Sequence, residues 1–282
     1  MKGIFELEMS KETTGNNILI VDSLNLAFRY KHTKHRNFAE DYYRTVKSLA
    51  KSYSADKIIL ACDWGKSVYR KNLYPEYKAD RDVKIQSQTE EEKQEFFDFL
   101  EDFKLALEYC KDSFTILRYE GIEADDIAAY LTHYIFKDTD SNIWLISSDK
   151  DWDLLLTSNV HRFSYVTRKE YTLDNWNERY EYPHDIALDI KVLVGGKDNV
   201  AGVPQVGEKR AHVVLQRYDT AFDVADSLPI SGTAKYIKNI NEFGKDKILR
   251  NIELIDKITY CPDILGKENI EDMKKQCHTL KY

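Results

Sequence analysis

The sequence predicts an α/β protein built on a mostly parallel sheet with helices on its sides. Four apolar runs of strand length recur in the first half of the chain, at 17–21, 57–62, 114–118 and 143–147. A group of carboxylates follows each run, as expected where parallel strands end at one edge of an open sheet. Between the second and third of these runs, the segment 90–111 has apolar residues at helical spacing. It is predicted to be an exposed helix whose other face is strongly acidic.

The second half of the chain predicts a hairpin followed by helices. A hairpin is expected at 162–172, and helices at 185–194, 222–228, 235–243 and 246–255. The N-terminal residues 1–16 lack the continuous apolar core of a signal peptide and are interpreted as a polar tail. The last 25 or so residues carry no usable pattern, and the length of 282 residues fits one large or two moderate domains.

The carboxylates that follow the strands are the strongest functional signal. Any single group could be a helix N-cap. A cap does not require doubling, however, and Glu-x-Asp-Asp and Asp-x-Asp supply more negative charge than a helix start can use. Crowded carboxylates are tolerated when a cation lies among them. An all-oxygen set without His or Cys indicates Mg²⁺ or Mn²⁺ rather than zinc. The candidate ligands are Asp22, Asp63, Glu123, Asp125, Asp126, Asp149, Asp151 and Asp198.

Composition excludes some classes of protein and leaves nucleic-acid binding open. No apolar run approaches the roughly 20 residues of a membrane span. The four cysteines are widely spaced without a C-x-x-C pair, which favours a reducing compartment and argues against a zinc or disulfide framework. The net charge is −7, with 48 acidic and 41 basic residues. Without the eight candidate ligands, 40 acids face 41 bases, so the overall sign does not exclude DNA or RNA.

Two basic stretches are candidates for phosphate contacts. The first follows the first strand and includes Arg29, and the second runs from Lys66 to Lys84, with tyrosines between its cations. Cations for phosphates and rings for base stacking are how single strands are bound. A solvated linker with locally packed tyrosines is an equal alternative, and Pro75 predicts a loop or a short-helix hairpin.

A third candidate lies further along the chain, at Gly202-Val203-Pro204-Gln205-Val206-Gly207-Glu208-Lys209-Arg210-Ala211. Its glycines allow a tight turn before a helix, whose N-terminal amides would face a phosphate as in a helix–hairpin–helix. Lys209 and Arg210 would add positive charge to the same contact.

Together these motifs resemble one family. The order and spacing of five motifs are similar to those of the bacteriophage flap endonucleases (5′→3′ exonucleases), which are related to the 5′-nuclease domain of bacterial DNA polymerase I. The likeness covers roughly residues 16–262. The motifs are Ile20-Val21-Asp22-Ser23-Leu24-Asn25-Leu26, Pro75-Glu76-Tyr77-Lys78-x-x-Arg81, Glu123-Ala124-Asp125-Asp126, Ser148-Asp149-Lys150-Asp151-Trp152-Asp153 and Lys197-Asp198-Asn199.

The resemblance implies a PIN-like domain with a helical arch and a C-terminal helix–three-turn–helix module that binds duplex DNA. The implied division is a tail at 1–15, a catalytic domain at 16–184 with the arch at about 64–111, and a DNA-binding module at 185–282 with its hairpin at about 200–216. It implies two divalent ions, Mg²⁺ or Mn²⁺, and a K⁺ ion could lie at the hairpin. The eight carboxylates match the acidic ligands of the family.

The resemblance also implies the roles of basic and aromatic residues. Lys78 and Arg81 match cations that contact the scissile phosphate. The expected DNA contacts are Tyr77, Arg29, Lys66, Arg70, Lys84, Gly202, Gly207, Lys209 and Arg210. The expected partner is DNA with a 5′ end, flap or fork, with an RNA–DNA primer duplex as a further substrate. The expected protein is a monomer in the cytoplasm, that of the host if the chain comes from a bacteriophage.

Two departures from the family pattern concern the site. Gly195-Gly196-Lys197-Asp198-Asn199 stands where the family usually has Gly-Asp-x-x-Asp-Asn, so one residue and one carboxylate are missing. Gln205 occupies a hairpin position that is usually glycine. The sequence therefore predicts a metal-dependent 5′-nuclease with a weakened second ion site. A branched-DNA-binding protein with impaired catalysis is the alternative, and an RNase of the wider PIN type is a third.

Overall fold

The protein is built around one six-stranded sheet. The computed structural model describes residues 17–278, so the predicted tail at 1–15 lies outside the described residues. The spatial order is β3-β2-β1-β4-β5-β6, with five strands parallel and only β6 antiparallel to its neighbour. The predicted parallel sheet and hairpin are both confirmed. The strands are β1 (Asn17–Asp22), β2 (Ala55–Cys62), β3 (Thr115–Arg118), β4 (Ile143–Ile146), β5 (Val160–Ser164) and β6 (Lys169–Tyr171).

Helices connect the strands and then form the second half of the chain. Six accompany the sheet: α1 (Ser23–His32), α2 (Ala39–Ser52), α3 (Val68–Leu73), α4 (Ala79–Gln86), α5 (Glu90–Cys110) and α6 (Ala124–Tyr130). The others follow the hairpin: α7 (Ala187–Val194), α8 (Glu208–Leu215), α9 (Ala221–Asp226), α10 (Lys235–Phe243), α11 (Lys245–Ile255) and α12 (Lys257–His278). Shorter turns are a π-helical turn, Leu131–Ile135, and 3₁₀ turns at Lys150–Leu155, Trp176–Glu178 and His184–Ile186.

Local sequence explains where several helices begin. The Asp22 side chain caps α1, and Thr89 and Glu92 form a reciprocal capping box at the start of α5. The segment with Pro75 forms two short helices, α3 and α4, as one of the two predicted alternatives had it. The start of α4 is unusual because Lys78 there has a left-handed backbone, with φ 56°.

The sheet is buried on both faces, which explains its continuous apolar strands. One face packs against α6 and α12, and the other packs against α1, α2 and α5. A third apolar cluster lies among α7 to α11 and includes Tyr77 and Leu156 from the first half of the chain.

The last helix, α12, belongs to the sheet core although the sequence carried no signal for it. Cys261, Leu265 and Met273 of α12 are buried against the face of the sheet that α6 covers. The helix is interrupted at Gly266, whose φ is 71°. The predicted division of the chain at residue 184 stays a prediction. Within residues 17–278, no helix is long and apolar enough to cross a membrane.

Candidate metal-dependent active site

The predicted carboxylates meet at the carboxyl edge of the sheet because β1 lies between β2 and β4. The Ser147 hydroxyl, after β4, donates to Asp22 Oδ2 at 2.7 Å. The backbone N–H of Ala124, at the start of α6, donates to Asp63 Oδ1 at 2.9 Å. The ends of three strands and one helix are thereby joined, as the sequence predicted for a crevice at this edge.

Asp22, Asp63 and Asp125 face one another, and of these three only Asp125 has a cation within 4.0 Å among the described residues, Lys257 at 3.7 Å. Burial raises the pKa of Asp22 well above its usual value, and the neighbouring charges of Asp63 and Asp125 raise it further. Burial likewise raises the pKa of Asp63. It raises that of Asp125 to about 6, against the opposing charges of Lys257 and Lys78. Raised pKa values in neighbouring carboxylates mark a place where a cation would be stabilising.

Glu123 is surrounded by donors instead. Its carboxylate accepts from Lys78 Nζ at 2.7 Å and from the Tyr77 hydroxyl at 3.0 Å. Burial opposes ionisation of this side chain, but the charges of Lys78, Lys257 and Arg70 prevail and hold the pKa of Glu123 far below its usual value. Glu123 is therefore a fixed anion that positions Lys78.

Asp126 and Arg70 form a fully buried ion pair. Arg70 donates to both carboxylate oxygens, at 2.8 and 2.7 Å, and both side chains have 0% exposure. Its Nε also donates to the Leu254 carbonyl at 3.1 Å, which ties α3 to α11. The expectation that Arg70 contacts DNA is therefore wrong, because no surface of its side chain is accessible. In this arrangement Asp126 stabilises the interior rather than facing an ion.

Tyr77 requires the same correction. It was expected at the DNA interface, but its ring is 2% exposed and packs in the core of the second half of the chain. Its hydroxyl donates a hydrogen bond to Glu123. Tyr77 therefore supports the site from behind.

Asp198 and Lys78 are brought together by two strained backbone segments. The Lys78 N–H donates to the Asp198 carbonyl at 3.0 Å, and both residues have left-handed φ values, 56° and 62°. The Asp198 carboxylate lies 2.6 Å from Arg81 Nη2 and 3.7 Å from Lys78 Nζ. The two predicted phosphate-contacting cations thus converge on the one carboxylate of the shortened loop.

The shortened loop closes on itself through glycine. Gly195 and Ala201 form an isolated antiparallel bridge. A Cβ on Gly202 would lie 2.0 Å from the Val194 carbonyl oxygen, so only glycine fits there. Gly202 is required for this close backbone approach, which is a structural role in place of the DNA contact expected from the sequence.

Asp149 and Asp151 lie at the start of a 3₁₀ turn. Asp149 caps the turn by accepting from the Asp151 N–H at 2.9 Å. Asp151 forms a close ion pair with Lys191 of α7, and this charge, with those of Lys257 and Lys197, lowers the pKa of Asp151 against the effect of burial. Asp153, one turn on, points away from the crevice and binds Arg162 and Arg179, at 2.7 and 3.1 Å.

No closed ligand set is preformed at this edge. In the described part of the chain, no three or more His, Cys, Asp or Glu side chains form a group that could hold a metal as they stand. The ion pairs explain this, because Glu123, Asp126, Asp151 and Asp198 each turn oxygens toward cations. Asp22, Asp63 and Asp149 have no cationic partner within 4.0 Å among residues 17–278. This donor set of uncompensated oxygens fits hard divalent ions.

The remaining basic candidates lie outside this crevice. Lys66 forms a close ion pair with Asp82 across the arch segment, while Lys84 is exposed on α4. Arg29 lies 4.3 Å from the ring of Tyr165 and donates to Thr45 at 3.2 Å. None of these three residues forms an ion pair with the carboxylates of the crevice.

The hairpin at the start of α8 has the predicted tight turn. Gln205 adopts φ 64°, so a glutamine takes a left-handed conformation that glycine adopts more readily. The Arg210 guanidinium donates to the Gln205 carbonyl at 2.6 Å and braces the turn. Gly207 immediately precedes α8, and a Cβ on it would have no other atom within 4 Å. Lys209 is exposed and forms a solvent-exposed ion pair with Glu181 at 3.2 Å.

Sequence reasoning missed three residues of the site. Lys257 reaches the carboxylates from α12, Lys191 pairs with Asp151, and Trp152 Nε1 donates to Asp125 Oδ1 at 2.7 Å. Trp152 lies within a recognised motif and could have been found there. Neither lysine belongs to a motif, and only the tertiary structure reveals their contacts with the carboxylates.

Comparison with known proteins places these features in context. A family model described as "5′-3′ exonuclease, N-terminal resolvase-like domain" matches residues 17–181. The flap endonuclease of Escherichia phage T5 is 41% identical over 93% of this chain and 90% of its own length. The DNA polymerase I of Bacillus subtilis is 27% identical over 92% of this chain but only 30% of its own.

Solved structures agree with the sequence comparison. A structure of the phage T5 5′-exonuclease with bound zinc superposes with a TM-score of 0.88, at 40% identity, covering 94% of this chain and all of the other. A complex of the phage T5 flap endonuclease with DNA and metal ions gives a TM-score of 0.87, at 40% identity, covering 94% of this chain and 98% of the other.

Proposed function

Since the chain belongs to the 5′→3′ exonuclease and flap endonuclease family, and is a metal-dependent nuclease that hydrolyses DNA phosphodiesters, we propose that it cuts DNA at 5′ ends and flap junctions with two Mg²⁺ ions. Mn²⁺ is expected to substitute, because it also accepts carboxylate ligands. The ions would be held by the predicted carboxylates other than Asp126.

One observation carries this proposal: uncompensated carboxylates lie beside a pair of converging cations. Asp22, Asp63 and Asp149 have no cation within 4.0 Å among residues 17–278, whereas Lys78 and Arg81 meet at Asp198. Divalent ions would neutralise the anionic oxygens, and a phosphodiester would neutralise the two cations. A phosphodiester with bound divalent ions would therefore satisfy both groups together.

The residues of the chain act mainly by positioning and by charge. Bound divalent ions would activate a water and stabilise the leaving oxygen. Glu123 holds the Lys78 ammonium at 2.7 Å in a buried position, and Arg81 keeps 54% of its side chain exposed, where a phosphate can reach it. When a phosphate displaces Asp198, both cations would stabilise the negative charge that develops on the phosphoryl oxygens.

Duplex recognition would come from the hairpin. The exposed Lys209 and Arg210 lie in the first turn of α8, and the amides at a helix N-terminus attract a phosphate. A K⁺ ion at the turn would add to this contact. We expect a monomer that acts in the cytoplasm, on branched DNA and on RNA–DNA primer duplexes, with Lys84 and Arg29 as further contacts.

A cleavage assay on a 5′-labelled flap substrate tests the function. We expect cleavage with Mg²⁺ and Mn²⁺, none with EDTA, and loss of cleavage in Asp149→Ala with flap binding in Ca²⁺ retained. Asp219→Ala, at an exposed position outside the crevice, is the matched control. Cleavage that persists in EDTA would contradict the proposal.

The shortened loop supports a second candidate function, that of a branched-DNA-binding protein with impaired catalysis. Asp198 is the only carboxylate at 195–199, and it is engaged by Arg81. Rebuilding the loop as Gly-Asp-x-x-Asp-Asn should lower the half-saturating Mg²⁺ concentration if the missing carboxylate limits the second ion. Tight flap binding without cleavage in Mg²⁺ and Mn²⁺, with cleavage gained by the rebuilt loop, would favour this second function.

A further inference from the structure

We propose that the Lys257 ammonium is a fixed cation of the carboxylate crevice, which lowers the affinity of the crevice for divalent ions. This inference rests on the proposed function. In this inference Lys257 acts only through its positive charge on the carboxylates and takes no direct part in the reaction. No motif of the sequence includes this residue, and it enters the crevice from the last helix of the described chain.

Lys257 is held where it must act on the carboxylates. It is the first residue of α12 and is only 8% exposed. Asp256 fixes the start of that helix by accepting from the N–H groups of Ile258 and Thr259, both at 2.9 Å. The ammonium lies 3.7 Å from Asp125 Oδ2 and 3.9 Å from Glu123 Oε2. A buried ammonium this close to two carboxylates interacts strongly with both.

The contribution of Lys257 is charge and not orientation. The other oxygen of Asp125 is oriented by Trp152 Nε1 at 2.7 Å, and Glu123 is oriented by Lys78 Nζ at 2.7 Å. Both Lys257 distances are longer than a hydrogen bond. Removing the ammonium should therefore leave the carboxylates in place and remove only its positive potential.

That potential reaches both sides of the crevice. Burial raises the pKa of Asp125 most, and among the charges that lower it Lys257 comes first. On the other side, Lys257 follows Lys191 among the charges that lower the pKa of Asp151 against burial. The positive charge of Lys257 makes the electrostatic potential between these carboxylates less negative. A divalent ion bound there would therefore be attracted less strongly.

The shortened loop acts in the same direction as Lys257. One carboxylate is absent from 195–199 relative to the family pattern, and the Lys257 ammonium lies 3.7 Å from Asp125. The free protein should therefore hold its ions weakly. The phosphate of a bound DNA strand would supply the missing negative charge, so ion binding would become tight mainly in the presence of substrate.

Calorimetric titration of the DNA-free protein with Mn²⁺ tests the inference without measuring cleavage. Lys257→Met keeps the volume and removes the charge, and it should bind Mn²⁺ about 10- to 100-fold more tightly, the range over which groups next to metal ligands alter affinity. Lys257→Arg should bind like the wild type. Lys267→Met, the same change at an exposed position of α12, is the matched control and should also be unchanged.

Unchanged or weaker Mn²⁺ binding in a folded Lys257→Met protein would overturn the inference and leave the proposed function intact. Absence of Mn²⁺ binding in every variant, including Lys257→Met, would also overturn the inference, and the flap-cleavage assay would then decide the proposed function separately. If Lys257→Met does not fold, Lys257→Gln serves instead, and the thermal stabilisation by Mn²⁺ is compared with that of the wild type. A larger increment in the variant supports the inference because stabilisation rises with ligand affinity, and an equal or smaller increment contradicts it.

Discussion

The buried pair of Arg70 and Asp126 leads to a prediction about stability that the sequence pattern does not make. Both oxygens of Asp126 accept from the guanidinium, at 2.7 and 2.8 Å, and neither side chain has any exposed surface. In Asp126→Ala the guanidinium would remain buried and lose its two short charged contacts, keeping the Leu254 carbonyl at 3.1 Å and a longer contact of 3.5 Å to Glu123, a carboxylate that Lys78 already neutralises. We expect this variant to be strongly destabilised and not merely inactive.

The magnitude follows from the complete burial of the pair. Removing one partner of a buried ion pair costs about 3–5 kcal/mol, because the remaining charge loses both hydration and its counter-charge. Domains are stable by about 5–15 kcal/mol. The loss should therefore lower the thermal midpoint by about 10 °C, taking about 2–4 °C per kcal/mol for a chain of this size.

Urea and thermal unfolding in EDTA measure this effect without interference from bound ions. Glu40→Ala is the control, because it breaks the exposed pair with Arg44 and should cost less than about 1 kcal/mol. The double variant Arg70→Met/Asp126→Leu should recover much of the loss, since no charge is left unpaired. The reasoning is refuted if Asp126→Ala unfolds within about 1 kcal/mol of the wild type while losing cleavage, because Asp126 would then act as a metal ligand alone.

Three further predictions concern the reaction and its pH dependence. Arg81→Ala should lower the single-turnover rate by about 10²–10³-fold with little change in flap affinity. Lys78→Ala should lower the rate in the same way and also destabilise the fold, because Glu123 loses its nearest cation. Single-turnover rates equal to that of the wild type, measured by quench-flow, would contradict both expectations. Lys209→Ala or Arg210→Ala should weaken duplex binding for every sequence and reduce the salt slope by about one, as fluorescence anisotropy at several salt concentrations can show. The pKa of Asp125 is raised to about 6 in the folded protein, so the folded state retains a proton that the unfolded chain releases, and stability in EDTA should fall as pH rises toward and through 6. Asp125→Asn should show a smaller pH-dependent loss, with the remainder due to Asp22 and Asp63, whose pKa values are also raised, and an unchanged loss in that variant would show that Asp125 is not responsible.

Part of the fold and site could be predicted because both follow from local patterns. Apolar runs followed by acids predicted the parallel strands and their common edge, and the structure places Asp22 and Asp63 there. The hairpin at 162–172 followed from strand and turn chemistry. These features depend on residues close in sequence, which is why the chain alone reveals them.

Tertiary structure decided which charges are paired. Arg70 and Lys84 are both cations of the same basic stretch, yet one is fully buried against Asp126 and the other is exposed. The sequence records the type of each side chain but not the direction in which its helix turns it. Lys257 is 132 or more residues from the carboxylates that it approaches, so only chain packing reveals it.

The sequence by itself determined that this protein has a parallel sheet with carboxylates where its strands end, and a nuclease family's order of motifs. The tertiary structure alone decided that Asp126 is neutralised, that Asp22 and Asp63 are not, and that a lysine of the last helix enters the crevice. The physical reason is that residue type and periodicity are local properties. Burial and electrostatic pairing depend on distances between atoms that the chain brings together only when it folds.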